Sequence, residues 1–390
     1  MDWIDTVCSD HFDFLSVDML SNISHRSVCV LLVGACTGPI FDRGYLRVLL
    51  LVGSFGVVFG FMMLSLCTEF WQALLAQGFC IGLGGGMLFV PSVAILPTYF
   101  STKIGLAIGL AAAGSSMGGK FASPRVSETG SITNAQAGII YPIVFYRLLP
   151  QIGFGWSVRV LGFMAFATLL IPIFVMKMRV QPPKARSLLD TTVFGDVPFM
   201  AFVLGAMIGF IGLYVELFYV SFFGQVTGIT NSSMSFYLVP ILNAGSVFGR
   251  TLPNILSDKI GPINVIIPGA FICAILVFCN IAVDSLGGLV VQALLFGFFS
   301  GIFIALPPVC FFSLTADKTK LGTRLGMGFA VIALGVLAGG PGGGGILQAD
   351  PENLNWTGTW AYSGATLLAA GAIFFVVRFL KVGTKLMVKV

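Results

Sequence analysis

From Ser27 onward the chain alternates long apolar runs with short polar loops. The fuller runs are Leu46–Cys67, Trp71–Leu96, Val158–Met176, Phe199–Phe223, Met234–Leu256, Val265–Val283, Leu286–Leu314, Leu325–Leu347 and Trp360–Leu380. Runs of this length and apolarity predict membrane-spanning helices. Ser27–Phe41 is shorter. At 1.5 Å per residue it reaches only about 22 Å of a hydrocarbon core about 30 Å thick. It reads as a mismatched span or the remnant of a longer one. Ile104–Gly118 and Ile139–Pro150 together make about one helix, split by the polar segment Lys120–Gly138. The pattern therefore predicts eleven spans.

Composition turns that pattern into a fold class. Of 390 residues, 57% are hydrophobic and 9% charged, against about 25% charged in soluble domains. Most of the chain has too few charges to be solvated, so the expectation is an all-α polytopic membrane protein. The net charge of +5 does not point to nucleic acid, because the basic residues sit in short loops between apolar runs, as an orienting charge bias places them. Cys29, Cys36, Cys80, Cys273, Cys279 and Cys310 lie in apolar runs and read as small buried residues. With no CxxC pair and only His11 and His25 to help them, no metal or other cofactor is expected. No nucleophile–base pair or carboxylate pair suggests an enzyme.

The loops sort by charge. Arg43, Arg47, Lys103, Lys177, Arg179, Lys184, Arg186, Lys259, Lys318, Lys320 and Arg324 fall on one side, joined by Arg378, Lys381, Lys385 and Lys389. Glu69, Asp284, Asp350 and Glu352 fall on the other. The positive-inside rule makes the basic side and the C-terminus cytoplasmic. The sequons at Asn22, Asn231 and Asn355 then all lie outside, as glycosylation at a plasma membrane requires. The expected organisation is a polar tail over 1–26, a first bundle over 27–176 interrupted at 120–138, a cytoplasmic linker over 177–197, a six-helix bundle over 198–382 and a tail over 383–390.

An internal repeat supports two related halves. Gly38…Asp42-Arg43-Gly44 ends one helix, and Asn254…Asp258-Lys259-Ile260-Gly261 ends another 216 residues later. Thr102-Lys103-Ile104-Gly105 recurs as Thr319-Lys320-Leu321-Gly322, and Gly109 matches Gly326, at an offset of 217. Two homologous bundles that rock about a midplane site are what a secondary transporter needs.

Two charges lie inside predicted spans. Arg250 never loses its proton and costs about 3 kcal/mol to insert, so it should face a cavity, a partner or a substrate. A planar fork of donors fits a carboxylate. An alternative is that it snorkels to a loop acid. Glu216 is the other, either paired with Arg250, carrying a proton, or simply hydrated near its helix end. Asn243, Tyr237 and Tyr219 are candidate cavity lining. Asp42, Arg43, Asp258 and Lys259, at helix ends on the basic side, read as conformational latches. The glycine runs at Gly82–Gly86 and Gly339–Gly345 lack the Lys-Ser/Thr of a phosphate loop and read as close helix packing.

The stretch Tyr99-Phe100-Ser101-Thr102-Lys103-Ile104-Gly105-Leu106-Ala107-Ile108-Gly109-Leu110-Ala111-Ala112-Ala113-Gly114 resembles the pattern YFxKRRxLAxGxAxAG. That pattern belongs to the monocarboxylate-porter group of the major facilitator superfamily, and the chain is closest in style to its filamentous-fungal branch. Gly38…Asp42-Arg43-Gly44…Arg47 similarly resembles the superfamily's cytoplasmic loop motif. Thr102 and Ile104 replace two expected basic residues. The resemblance implies the major facilitator fold, a carboxylate substrate on Arg250 and alternating access. The family has an acid one turn before this arginine, linked to proton coupling; here that position is Ser246.

Two departures qualify the expectation. The family places one span before the helix that ends at Asp42-Arg43-Gly44, giving twelve against the eleven here. Deleting Lys120–Gly138 would rejoin a continuous fifth span, and its codons can hold splice signals, which suggests a retained intron. The expected function is secondary-active movement of a small organic acid or secondary metabolite, with protons as a candidate coupling ion. The alternative is a truncated or mis-spliced transporter-derived protein without transport activity.

Overall fold

The computed structural model describes residues 29–34, 36–38, 40–41, 43–100, 103–117, 139–178, 190–317, 321–349 and 354–383. The N-terminal tail with Asn22, the latch residue Asp42, the insert 120–138, most of the linker and the tail beyond 383 lie outside them.

Every described span is helical, and the helices over Val197–Val226, Ser232–Ile260, Leu321–Leu347 and Trp356–Val382 overrun the apolar runs that predict them. They are α1 (Leu46–Leu64), α2 (Trp71–Ala94, π-helical over Leu74–Ile81), α3 (Ile104–Met117), α4 (Ile140–Val175), α5 (Val197–Val226), α6 (Ser232–Ile260), α7 (Pro262–Ala282), α8 (Leu286–Leu314, bent at Leu306), α9 (Leu321–Leu347) and α10 (Trp356–Val382). The short apolar helix Cys29–Gly38 precedes them. The extra residues come from capping, which apolarity does not report. Asn231 Oδ1 accepts from the Met234 N–H at 2.8 Å, and Asn355 Oδ1 from the Gly358 N–H at 2.9 Å, so both described sequon asparagines start helices. Gly261, at φ +96°, ends α6 and lets Pro262 open α7.

Among the described residues, eight helices are long and apolar enough to cross a membrane. α6 has the length, at 29 residues, but is the least apolar of the long helices. Ile139–Pro150 and Val158–Met176, expected as separate runs, are merged in α4 and broken at Gly153, where φ is +72°. Phe55 and Phe174 stand outward, 70% and 75% exposed. Water would penalise such rings, while lipid accepts them. Cys36 and Cys279 are also exposed and Cys29 and Cys80 partly so, which corrects the expectation that those thiols are buried; Cys273 and Cys310 are.

Buried side chains form two cores, one per half. The first, from Phe41 to Met176, joins α1, α2 and α4. The second fills α5–α10 and takes in Leu31, Leu96, Ile104 and Ile108 from the first half. Those four residues mark where the halves meet.

Between lipid-facing helices close approach replaces the hydrophobic effect as the driving force. α6 shows how glycine provides it. A Cβ on Gly245 or Gly249 would strike the Leu294 or Phe298 carbonyl of α8, and one on Gly297 would strike the Leu242 carbonyl of α6. On its other side α6 meets α3, where a Cβ on Gly105 would lie 2.7 Å from the Asn254 carbonyl oxygen and 2.6 Å from Ser257 Oγ. α6 is thus clamped between its own half and the other.

Candidate functional site

Arg250 lies 18 residues from the start of α6 and 10 from its end, roughly 27 Å and 15 Å along the axis. It is buried. Its Nε donates to Ser246 Oγ at 3.1 Å, one turn earlier on the same face. Its Nη1 donates to the Ala112 carbonyl on α3 at 2.8 Å, across the boundary between halves. Ser246, where the resemblance leads one to expect an acid, therefore supplies a hydroxyl that holds the guanidinium. The residue 216 positions before Arg250 is Gly34. The repeat seen further along at Asp42 and Asp258 does not extend to this position.

The other candidates spread out rather than gather around Arg250. Tyr237 is 13 residues away on α6, about 20 Å along the axis. It sits at the far end, where Arg147 Nη2 reaches its hydroxyl at 3.5 Å. There Tyr146 stacks on Phe236 with ring centroids 4.4 Å apart, and its hydroxyl lies 3.4 Å from Ser233 Oγ. This is a second contact between the halves, at the end opposite the basic loops. Asn243 lies between, its amide donating to the Val239 carbonyl at 3.0 Å. Tyr219 turns to the Gly340 carbonyl on α9, at 3.0 Å.

Glu216 is neither hydrated nor paired with Arg250, which corrects two of its expected readings. It is wholly buried. Its Oε2 accepts from Asn280 Nδ2 at 2.7 Å and its Oε1 from Gln292 Nε2 at 3.0 Å. All three residues belong to the second half, on α5, α7 and α8.

Of the latch candidates, Asp258 crosses between halves. Its Oδ1 accepts from the Gly105 N–H at 2.8 Å and its Oδ2 from the Leu106 N–H at 3.0 Å, at the start of α3. A carboxylate there satisfies two orphan donors and complements the helix dipole. Lys259 and Arg43 are exposed. At the equivalent contact 216 residues earlier, a Cβ on Gly38 would lie 3.2 Å from the Gly322 carbonyl oxygen at the start of α9. The repeat thus places a close helix approach at the start of both α3 and α9.

Asp258→Asn removes a charged cap worth about 1 kcal/mol, or about fivefold in the population of the closed contact. With Ser257→Cys as a reporter buried against α3, labelling by an impermeant maleimide should quicken about fivefold. Equal rates with and without Asp258→Asn would show that the cap does not hold the halves together.

One cluster was missed in the sequence. Arg324, near the start of α9, donates from Nε to Asp190 Oδ2 at 3.2 Å and from Nη1 to Asp196 Oδ2 at 2.8 Å. Its guanidinium also lies over the Phe199 ring, 5.4 Å from the centroid. The end of the linker is thereby fixed to the second half. Arg324 reads as one more loop charge because its position just inside α9 becomes visible only with the helix boundary.

Two helical halves joined by a linker, packed through glycines and carrying a buried arginine at their boundary, define a polytopic membrane transporter. The family model of the Major Facilitator Superfamily matches residues 15–317, and the chain belongs to that superfamily. It is 55% identical to the MFS-type transporter dbaD of Emericella nidulans over 353 residues, covering 90% of this chain and 75% of that one. It is 32% identical to the aspyridones efflux protein apdF of the same organism over 343 residues, covering 88% and 65%. The crystal structure of the human organic anion transporter MFSD10 (TETRAN) shares the fold, with a TM-score of 0.66 at 13% identity over 93% of this chain and 83% of that one. These relatives are transporters, not enzymes.

Proposed function

We propose that the chain is a secondary-active transporter of the monocarboxylate-porter type, moving a small organic acid or an acidic secondary metabolite by alternating access. One observation carries this reading. Arg250 is buried on α6 and bonded across the halves to the Ala112 carbonyl. A carboxylate arriving at that guanidinium offers it a bidentate, charge-compensating partner. It also competes with a bond that joins α6 to α3, so binding is coupled to the contact that rocking must remake. Asn243 lies along the same helix, and Tyr237 at its far end contributes to the opposite closure. Asp258, with Lys259, Asp42 and Arg43, serves as the latch on the cytoplasmic side, where the C-terminus also lies. Asn22, Asn231 and Asn355 face outward at the plasma membrane as glycan acceptors. The efflux relative favours export of a secondary metabolite, with protons as the coupling ion.

The test is counterflow in vesicles reconstituted with the full chain. Labelled benzoate, lactate and succinate probe carboxylate recognition, and benzamide serves as the uncharged control. Exchange of at least one carboxylate without exchange of benzamide is expected. A chain that inserts correctly and exchanges none of them is not an organic-acid porter, and the reading fails.

A further inference from the structure

We propose that Glu216, Asn280 and Gln292 form a proton-binding site inside the second half. The assignment deepens the transport reading by naming the site of its coupling ion, and it concerns residues 30 or more positions from Arg250 in sequence on three other helices. Glu216 is 0% exposed, Asn280 1% and Gln292 4%. The carboxyl group meets two amide N–H donors, and among the described residues no cation is bonded to it. The groups close to it are Cys273 on α7, near enough to interact electrostatically, and Tyr219 one turn on along α5, whose hydroxyl is turned away to Gly340. Neither carries a positive charge.

The unusual feature is on the far side of the two amides. Asn280 Oδ1 and Gln292 Oε1 are both buried and both lack a hydrogen-bond partner. Buried polar atoms are mostly satisfied, and here two unpaired acceptors belong to the two amides that hold one acid. They have a use if the acid changes state. As a carboxylate, Glu216 accepts from both NH2 groups, the arrangement seen. When a proton from water adds to one of its oxygens, the new O–H needs an acceptor. A half-turn of either side-chain amide exchanges NH2 for C=O at that place and supplies it. The site can therefore hold either protonation state with hydrogen bonds made. Sodium fits less well, because direct bonds of 2.7 Å and 3.0 Å leave no space for an ion between carboxyl and amides. Full burial keeps the proton from exchanging in the state observed, so exchange is tied to movement of α5, α7 and α8.

The experiment is infrared difference spectroscopy of the full chain in lipid vesicles as pH is stepped. The readout is the C=O stretch of a protonated carboxyl group, with no substrate present. A pH-dependent band that is lost in Glu216→Gln and kept in Arg250→Gln is expected. Asn280→Ala and Gln292→Ala, which retain the acid, should each shift its frequency; they also serve if Glu216→Gln cannot be purified. A band that survives Glu216→Gln, or one unmoved in both amide variants, overturns the assignment. Because no substrate is used, a failure here leaves the carboxylate-exchange result standing, and the reverse holds too.

Discussion

Arg250→Ala should reduce carboxylate exchange to background while the protein still reaches the membrane. Removing one partner of a desolvated charge pair costs about 2–5 kcal/mol, which is a loss of about 30-fold or more in substrate affinity. The fold loses two hydrogen bonds as well, to a hydroxyl on the same helix and to a peptide carbonyl, and only the second joins the halves. A hydrogen bond from a charged donor contributes about 1.5–3 kcal/mol, and α3 remains seated on α6 through Gly105, Gly109 and the Asp258 cap. Arg250→Lys separates charge from geometry. It keeps a cation but loses the planar fork that can exchange the Ala112 carbonyl for a bidentate carboxylate. Weaker binding with a partly retained maximal rate is expected for Lys, and loss of both for Ala. Labelled benzoate counterflow, normalised to inserted protein, measures each. Wild-type rates in Arg250→Ala would remove this arginine from the transport step.

The sequence was most informative where chemistry repeats along one helix. Apolar runs located the helices because lipid imposes a length and a polarity on each of them separately. The repeat located the junctions: Asp258 and Gly105, singled out by two offset motifs, meet in the structure as a carboxylate on a helix start. Arg250 was legible as a buried charge, and Ser246 as its neighbour one turn away. What was not legible depends on how helices are rotated about their axes. Glu216 meets Asn280 and Gln292 from 64 and 76 residues away. Both amides sit near helix ends, where a polar residue reads as surface. Arg324 finds Asp190 and Asp196 across 134 and 128 residues for the same reason. Periodicity says which face of a helix is polar; packing alone decides what that face meets. The glycine pattern came close to crossing this gap, since it marked helices that approach tightly without saying which pairs do so.

That packing makes a contrasting pair of glycine substitutions decisive. Gly249→Ala should destabilise the chain, and Gly269→Ala should leave it about as stable as before. Alanine in place of glycine inside a helix gains about 1 kcal/mol from backbone propensity alone, so the sign at each site depends on space. At Gly269 the new methyl would meet the Ile302 side chain at 3.2–3.5 Å. A side chain can yield a few tenths of an ångström, at a small cost that roughly offsets the propensity gain. At Gly249 the methyl would lie far inside van der Waals contact with the Phe298 carbonyl oxygen, with the Phe298 Cα 2.9 Å away. Backbone cannot rotate aside, so α6 and α8 must separate along their whole contact. Overpacking of this kind costs about 1–3 kcal/mol and occasionally more, which exceeds the gain. Melting in detergent, followed by size-exclusion of the surviving monodisperse fraction, measures both variants against the parent. Function should follow stability, because Gly249 adjoins Arg250. Pushing α6 off α8 drives the guanidinium toward α3 and the Ala112 carbonyl, where the halves have no slack to receive it. Equal melting of the two variants would mean that the α6–α8 contact is looser than these glycines imply, and that Arg250 is not held in place by the helix that carries it.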